Sequence, residues 1–227
     1  MPLIIAIDGP SGSGKSTLGR LLARALNLLY VDTGSMYRAV ALAVIEEGID
    51  PADSERVTAL AESLNIDLEG DPDSLRVLLD GRDITDLIRN EDVTHVSSIV
   101  STIPGVRRAM VARQREIGKR GAVLNGRDIG TVVFPNADVK FYLTAVPEER
   151  ANRRFTECRE VDSSANYTEI LADMTERDRR DSTRTDSPLK IAGDAIVVES
   201  TNKSIDQVFT EMMDQIQRPK TKDQTPK

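Results

Sequence analysis

Residues 9–16 read GPSGSGKS, a full match to the pattern G-x-x-x-x-G-K-[ST]. The apolar run Leu3–Ile7 precedes it, and an amphipathic stretch with Leu18, Leu21, Leu22 and Leu26 on one face follows. This order of strand, glycine-rich loop and helix leaves few folds open. The glycines let the backbone curl until its N–H groups converge on phosphate oxygens, and the helix adds its positive N-terminal end. Residues Gly9, Pro10, Ser11, Gly12, Ser13, Gly14, Lys15, Ser16 and Thr17 are therefore the candidate cradle for ATP. Lys15 is expected to reach the β and γ phosphates, and the Ser16 hydroxyl to hold Mg²⁺, partly through water.

The remainder of the chain alternates in the same way. Leu28–Val31 reads as a second strand, followed by helices over Ser35–Glu47 and Pro51–Leu64, with Pro51 tolerated at the helix start. Ile66, Leu68, Leu75, Val77 and Leu79 then suggest short alternating strands, with Asp80-Gly81 as a hairpin turn. Helices are expected over Asp86–Ser101 and Pro104–Lys119, and strands at Ala122–Asn125 and Val139–Thr144. Pro147–Arg180 reads as helical with an irregular stretch around Asp162–Asn166, before a buried strand at Ala195–Glu199 and a helix over Ser204–Gln217. Five short apolar strands separated by helices predict an α/β fold with a parallel sheet covered on both faces.

Composition narrows the class. With 39% hydrophobic residues the chain can fill a core, and its net charge of −7 argues against a general affinity for nucleic acid. No apolar run approaches the length of a membrane span, and MPLIIAIDGP lacks a basic leader, so no membrane association is expected. One cysteine (Cys158) and one histidine (His95) exclude a disulfide framework and a Cys/His zinc site, which points to the cytoplasm.

A phosphate-cradling loop also serves GTPase switches and ATP-driven motors. The nearest guanine-reading string, Asn202-Lys203-Ser204-Ile205, ends in isoleucine where aspartate is required. Val123-Leu124 leads into Asn125-Gly126-Arg127-Asp128 without the acidic pair of a motor. Arginine instead recurs beside polar residues at expected strand ends, in DTGSMYR (32–38), NGRDIGTVVFP (125–135) and RDRRDSTR (177–184), with Arg107 on the helix after Pro104. Of the 30 basic residues 22 are arginine, whose planar fork suits a second phosphate-bearing substrate. Transfer to a neutral hydroxyl, as in shikimate kinases, would call for a positioned carboxylate, with Asp32 the candidate.

In order and spacing these three segments resemble the signatures of bacterial cytidylate (CMP) kinases, within the nucleoside monophosphate kinases of the P-loop kinase fold. The likeness runs from Leu3 to Gln217. It implies transfer of the γ-phosphoryl group of ATP to CMP or dCMP, with UMP a poorer acceptor, by a monomer that needs Mg²⁺. It also implies a five-stranded core over residues 1–64 and 86–217, a β-rich monophosphate-binding insertion over 65–85, a helical lid at about 155–187 and a mobile tail at 218–227. By resemblance, Arg38, Arg127 and Arg184 hold the acceptor phosphate and the transferring group, and Thr33 is among the CMP-binding residues. Ser98, Arg107 and Asp128 read the cytosine, and Tyr37, Arg177 and Asp181 contact the sugar and neighbouring phosphate. Lys15, Arg127, Arg177 and Arg184 are the expected catalytic set.

Overall fold

A computed structural model describes residues 2–160 and 163–217. The chain enters through β1 (Ile4–Asp8), the glycine loop and α1 (Lys15–Leu26), then β2 (Leu29–Asp32) and α2 (Thr33–Glu46). After α3 (Ser54–Ser63) come three short strands, β3 (Ile66–Glu69), β4 (Arg76–Leu79) and β5 (Arg82–Asp83). Helices α4 (Glu91–Val100) and α5 (Pro104–Gly118) lead to β6 (Ala122–Gly126) and β7 (Val139–Thr144). The chain closes with α6 (Pro147–Arg159), α7 (Tyr167–Thr183), β8 (Ile196–Glu199) and α8 (Ile205–Gln217).

The main sheet is five-stranded and parallel, in the order β2-β6-β1-β7-β8. The central strands β1 and β6 open on the apolar runs Ile4–Ile7 and Ala122–Leu124 because helices cover both faces. One core collects Ala6, Val31, Leu124 and the inward faces of α2 to α5; the other joins Ile5, Ile7, Phe141 and Leu143 to α1 and α8. Register fixes the site: Asp8 lies opposite Gly126, and Asn125 opposite Asp32. The glycine loop, the start of α2 and the Arg127-Asp128 segment thus leave the same edge of the sheet, the carboxyl ends where such folds bind ligands.

The second sheet, β3-β4-β5, is antiparallel. Its β4–β5 turn has Asp80 at φ 50° and Gly81 at φ 82°, the two positive angles of a tight hairpin. Among the described residues no helix is long and apolar enough to cross a membrane.

Four sequence expectations need correction. The helix expected from Pro51 begins at Ser54, because the Asp53 carboxylate caps it by accepting from the Arg56 N–H. The helix expected from Asp86 is a 3₁₀ turn at Leu87–Arg89 and then a new helix, capped by Asn90 through the Val93 N–H. The helix expected from Ser35 starts at Thr33, capped by Asp32. Strand β8 is a half-exposed edge strand in which only Val198 is fully buried. The expected tail at 218–227, and residues 161–162 of the irregular stretch, lie outside the described residues.

Candidate active site

The glycine loop is shaped by close approach as well as by curvature. Gly9 has φ 151°, and a Cβ there would sit 2.0 Å from the Leu143 carbonyl oxygen of β7. Gly12 has φ 69°, and its Cβ would fall 2.7 Å from the Met174 methyl of α7. A side chain at Gly9 would push β7 away, and one at Gly12 would displace the Met174 methyl and strain a left-handed backbone. Lys15 is buried and folds back, its Nζ donating to the Pro10 carbonyl at 2.5 Å and to the Ser13 hydroxyl at 3.3 Å. Gly14 caps α1, while Thr17 lies half-buried in its first turn without lining the cleft. Ser16 is exposed, its hydroxyl accepting from Asn125 Nδ2 at 3.2 Å.

Ser11, Gly12, Lys15 and Ser16 form one wall of a cleft of about 200 Å³. The facing walls carry Thr33, Tyr37, Arg38, Arg107, Arg127, Asp128, Arg177, Asp181 and Arg184. Asp32 accepts from the Gly34 N–H at 3.1 Å and pairs with Arg38 at 3.2 Å, and Thr33 Oγ1 donates to the Asn125 carbonyl at 2.8 Å. Arg107 forms a buried ion pair with Asp128 and stands 5.7 Å from the Tyr37 ring centre. Arg127 Nε donates to Asp181 at 2.7 Å, and Arg184 lies 3.6 Å from both Asp128 and Asp181. Ser98 sits apart from the lining, which takes Ser97 and Ser101 instead. Its hydroxyl donates to the His95 carbonyl and accepts from Arg180 Nη1 at 2.8 Å. His95 itself is exposed, and Cys158 is a half-buried free thiol on α6.

Six cations against three carboxylates give this lining a formal excess of three positive charges, in a chain whose net charge is −7. Burial, then the charges of Arg127 and Arg177, hold the Lys15 ammonium well below its usual pKa. Arg177 has neither a hydrogen bond nor an ion pair to the described residues; burial and Arg127 bring its pKa down to about 10. Arg184 is also lowered, by burial and then by Arg107. Burial raises the Asp181 carboxyl, but Arg127, Arg177 and Arg184 outweigh it and hold the group below its usual range. Burial pushes the Tyr37 phenol up to about 12. Lys15, Arg127 and Arg177 thus repel one another across a cleft with too few anions, as a site for a polyanion requires.

Five polar residues near the cleft were not singled out by the sequence reading. Asp8 is buried at the end of β1 and accepts from the N–H groups of Ile129 and Gly130 at 2.8 and 2.7 Å. It thereby holds the π-helical turn Ile129–Val133 just after Asp128, a rare turn that recurs at functional sites. Asn125 reaches Ser16, Arg180 reaches Ser98, and Arg150 pairs with Asp178 at 2.5 Å beside Ser11. A turn-rich segment and two strongly charged helices offered no signal that separates these side chains from solvated ones.

A phosphate-cradling loop on a central parallel strand, facing a cationic cleft, defines a P-loop phosphotransferase. Residues 5–218 match the family model described as cytidylate kinase. The chain belongs to the cytidylate kinase family. It is 49% identical over 209 residues to a cytidylate kinase of Solibacter usitatus, covering 91% of this chain and 88% of that one. A cytidylate kinase of Corynebacterium efficiens is 47% identical over 213 residues, covering 93% of each. A solved structure of an uncharacterised protein from Eubacterium ventriosum shares the fold, with a TM-score of 0.52 at 12% identity over 96% of this chain and 99% of that one.

Proposed function

We propose that this chain transfers the γ-phosphoryl group of ATP to CMP or dCMP, giving CDP or dCDP and ADP by direct in-line displacement. The observation that carries this reading is the pairing of carboxylates in the cleft. Asp32 holds Arg38, Asp128 holds Arg107, and Asp181 holds Arg127. Each carboxylate already faces an arginine, and an acceptor phosphate needs no general base: its second pKa is about 6, so it is already an anionic nucleophile at pH 7. A hydroxyl acceptor such as shikimate would need the Asp32 carboxylate that Arg38 and the Gly34 N–H occupy.

On this reading Lys15 and the glycine loop hold the donor phosphates. Arg38, Arg127 and Arg184 hold the acceptor phosphate and the transferring group, and Arg177 neutralises charge between them. Thr33, Tyr37 and Asp181 shape the sugar end, and Arg107, Asp128 and Ser98 read the base. The Ser98 hydroxyl donates to the His95 carbonyl and accepts from Arg180, which leaves one lone pair for that contact. Catalysis then consists of alignment and charge neutralisation.

Mg²⁺ fits the donor set. Among the described residues no three His, Cys, Asp or Glu side chains gather into a metal cage. The exposed Ser16 hydroxyl is instead the oxygen available to an ion otherwise held by phosphates and water, and Asn125 Nδ2 orients it. Bound there, the ion would neutralise phosphate charge.

The 200 Å³ cleft is small beside the roughly 300–1,000 Å³ of ordinary ligand sites, which supports a lid at about residues 155–187 that opens for two nucleotides. The small antiparallel sheet is the monophosphate-side insertion. A cytoplasmic monomer without membrane or nucleic-acid partners agrees with the negative net charge.

The test is ADP release with ATP-Mg²⁺ against CMP, dCMP, UMP, AMP, GMP and shikimate. Fast turnover with CMP and dCMP is expected. Turnover with another acceptor alone would keep the phosphotransferase and discard the base-reading residues, and acceptor-independent ATP hydrolysis would overturn the reading.

A further inference from the structure

Helix α7 presents two sets of polar side chains. Arg177 and Asp181, four residues apart, line the cleft together with Arg184 just past the helix end. Asp178 lies one step around the helix and meets the glycine loop instead. Its Oδ1 accepts from the Ser11 N–H at 3.1 Å and its Oδ2 from Arg150 Nη1 at 2.5 Å. Arg150, near the start of α6, is buried; its Nη1 also donates to the Ser11 carbonyl at 2.9 Å, and its Nε to the Ala145 carbonyl at 3.0 Å. One ion pair therefore engages both peptide groups of Ser11 and ties the end of β7, α6, α7 and the loop together. Gly12 completes the seat, since a Cβ there would lie 3.0 Å from the Arg150 carbonyl oxygen.

We infer that Arg150 and Asp178 are positioning residues for phosphoryl transfer, setting the register of α7 on the phosphate-binding loop and so the placement of Arg177 opposite Lys15. The inference rests on the reading above in which Lys15 and Arg177 serve the same transferring group. A charge-assisted, largely desolvated pair with fixed partners defines one geometry, where an apolar contact would tolerate several. Arg177 follows immediately: it is the residue before Asp178, and among the described residues it makes no hydrogen bond or ion pair of its own to hold it in place. A displacement of about 1 Å in such a group costs on the order of 10²-fold in rate.

The full chain with Asp178→Ala, Asp178→Asn, Arg150→Lys, and Arg150→Ala alone and combined with Asp178→Ala tests this through kcat, ATP KM, thermal midpoint and amide exchange. Asp178→Ala is expected to lower kcat about 10²-fold while ATP KM moves less than about threefold. Asp178→Asn keeps an acceptor for the Ser11 N–H and recovers part of that loss. The double variant is expected to be no slower than the worse single one, because the two act as a unit. In the absence of substrates, exchange in residues 9–17 and 167–183 should quicken in Asp178→Ala. A kcat within twofold of wild type, a loss confined to ATP KM or the thermal midpoint, or additive effects in the double variant would overturn the inference. If the wild-type chain does not turn over CMP, the functional reading falls. Exchange then decides the clamp alone, and unchanged exchange overturns it.

Discussion

Arg107 and Asp128 form an ion pair with both side chains less than a tenth exposed, and Arg184 approaches the same carboxylate at 3.6 Å. Asp128→Ala would therefore strand a buried guanidinium as well as remove the proposed base contact. A cost of about 3–5 kcal/mol is expected by urea denaturation, the usual penalty for breaking such a pair from one side. Asp128→Asn retains a neutral acceptor for Arg107 and should cost less, so it is the cleaner probe of base reading. In that variant the KM for CMP should rise while the KM for ATP stays near wild type. Equal changes in the two would reassign Asp128 to scaffolding.

Arg177 on α7 and Arg184 just past its end line the same cleft, yet their removal should have different consequences. Arg184 Nε donates to the Ser187 carbonyl at 2.7 Å and its fork lies near two carboxylates, so Arg184→Ala should lower both kcat and the thermal midpoint. Arg177 has no such partner, and its charge faces that of Arg127. Arg177→Ala should leave the unliganded fold as stable as before or slightly more so, while kcat falls about 10²–10³-fold. A drop in thermal midpoint as large as that of Arg184→Ala would contradict this division.

The contrast between Arg177 and Asp178 also shows where sequence reading stops. The string RDRRDSTR and its helical period place residues 177, 181 and 184 on one face, but period alone does not say what the next face meets. Asp178 touches Ser11, which lies 167 positions away in sequence. Arg150 was obscured differently. It lies in a helix where Arg153 and Glu149 make an ordinary i, i+4 pair, and nothing in PEERANRR marks the one arginine that is buried. The inner parallel strands β1 and β6, by contrast, were legible because burial on both faces makes Ile4–Ile7 and Ala122–Leu124 continuous apolar runs. The glycine loop was legible because its backbone shape demands glycine. Helix starts slipped where a side-chain cap overrode the apparent punctuation, as Asp53 does after Pro51.

Lys15→Ala is expected to separate catalysis from folding. The ammonium is buried among cations and its pKa is held well down, so its removal relieves a cost in the unliganded protein. Thermal midpoint should hold or rise, while phosphoryl transfer drops about 10³-fold or more. Wild-type turnover in this variant would remove Lys15 from the mechanism.

Asp8 supplies a pH signature unlike that of an ordinary paired carboxylate. Burial raises its pKa from 3.8 to about 6, against the two N–H groups of Gly130 and Ile129, with Asp128 adding to the rise. Between those values the folded chain retains a proton that the unfolded chain has lost. Stability from this group is therefore fully present below about pH 4 and falls as pH rises through about 6, by a total of about 3 kcal/mol. Asp8→Asn cannot titrate, so it isolates the effect from the other carboxylates. Urea denaturation of both proteins at pH 4, 5, 6 and 7 should show wild type losing ground to the variant from pH 4 to about 6 and little further by pH 7. A difference that does not change with pH would mean that Asp8 is ionised throughout, its two amide bonds having outweighed burial.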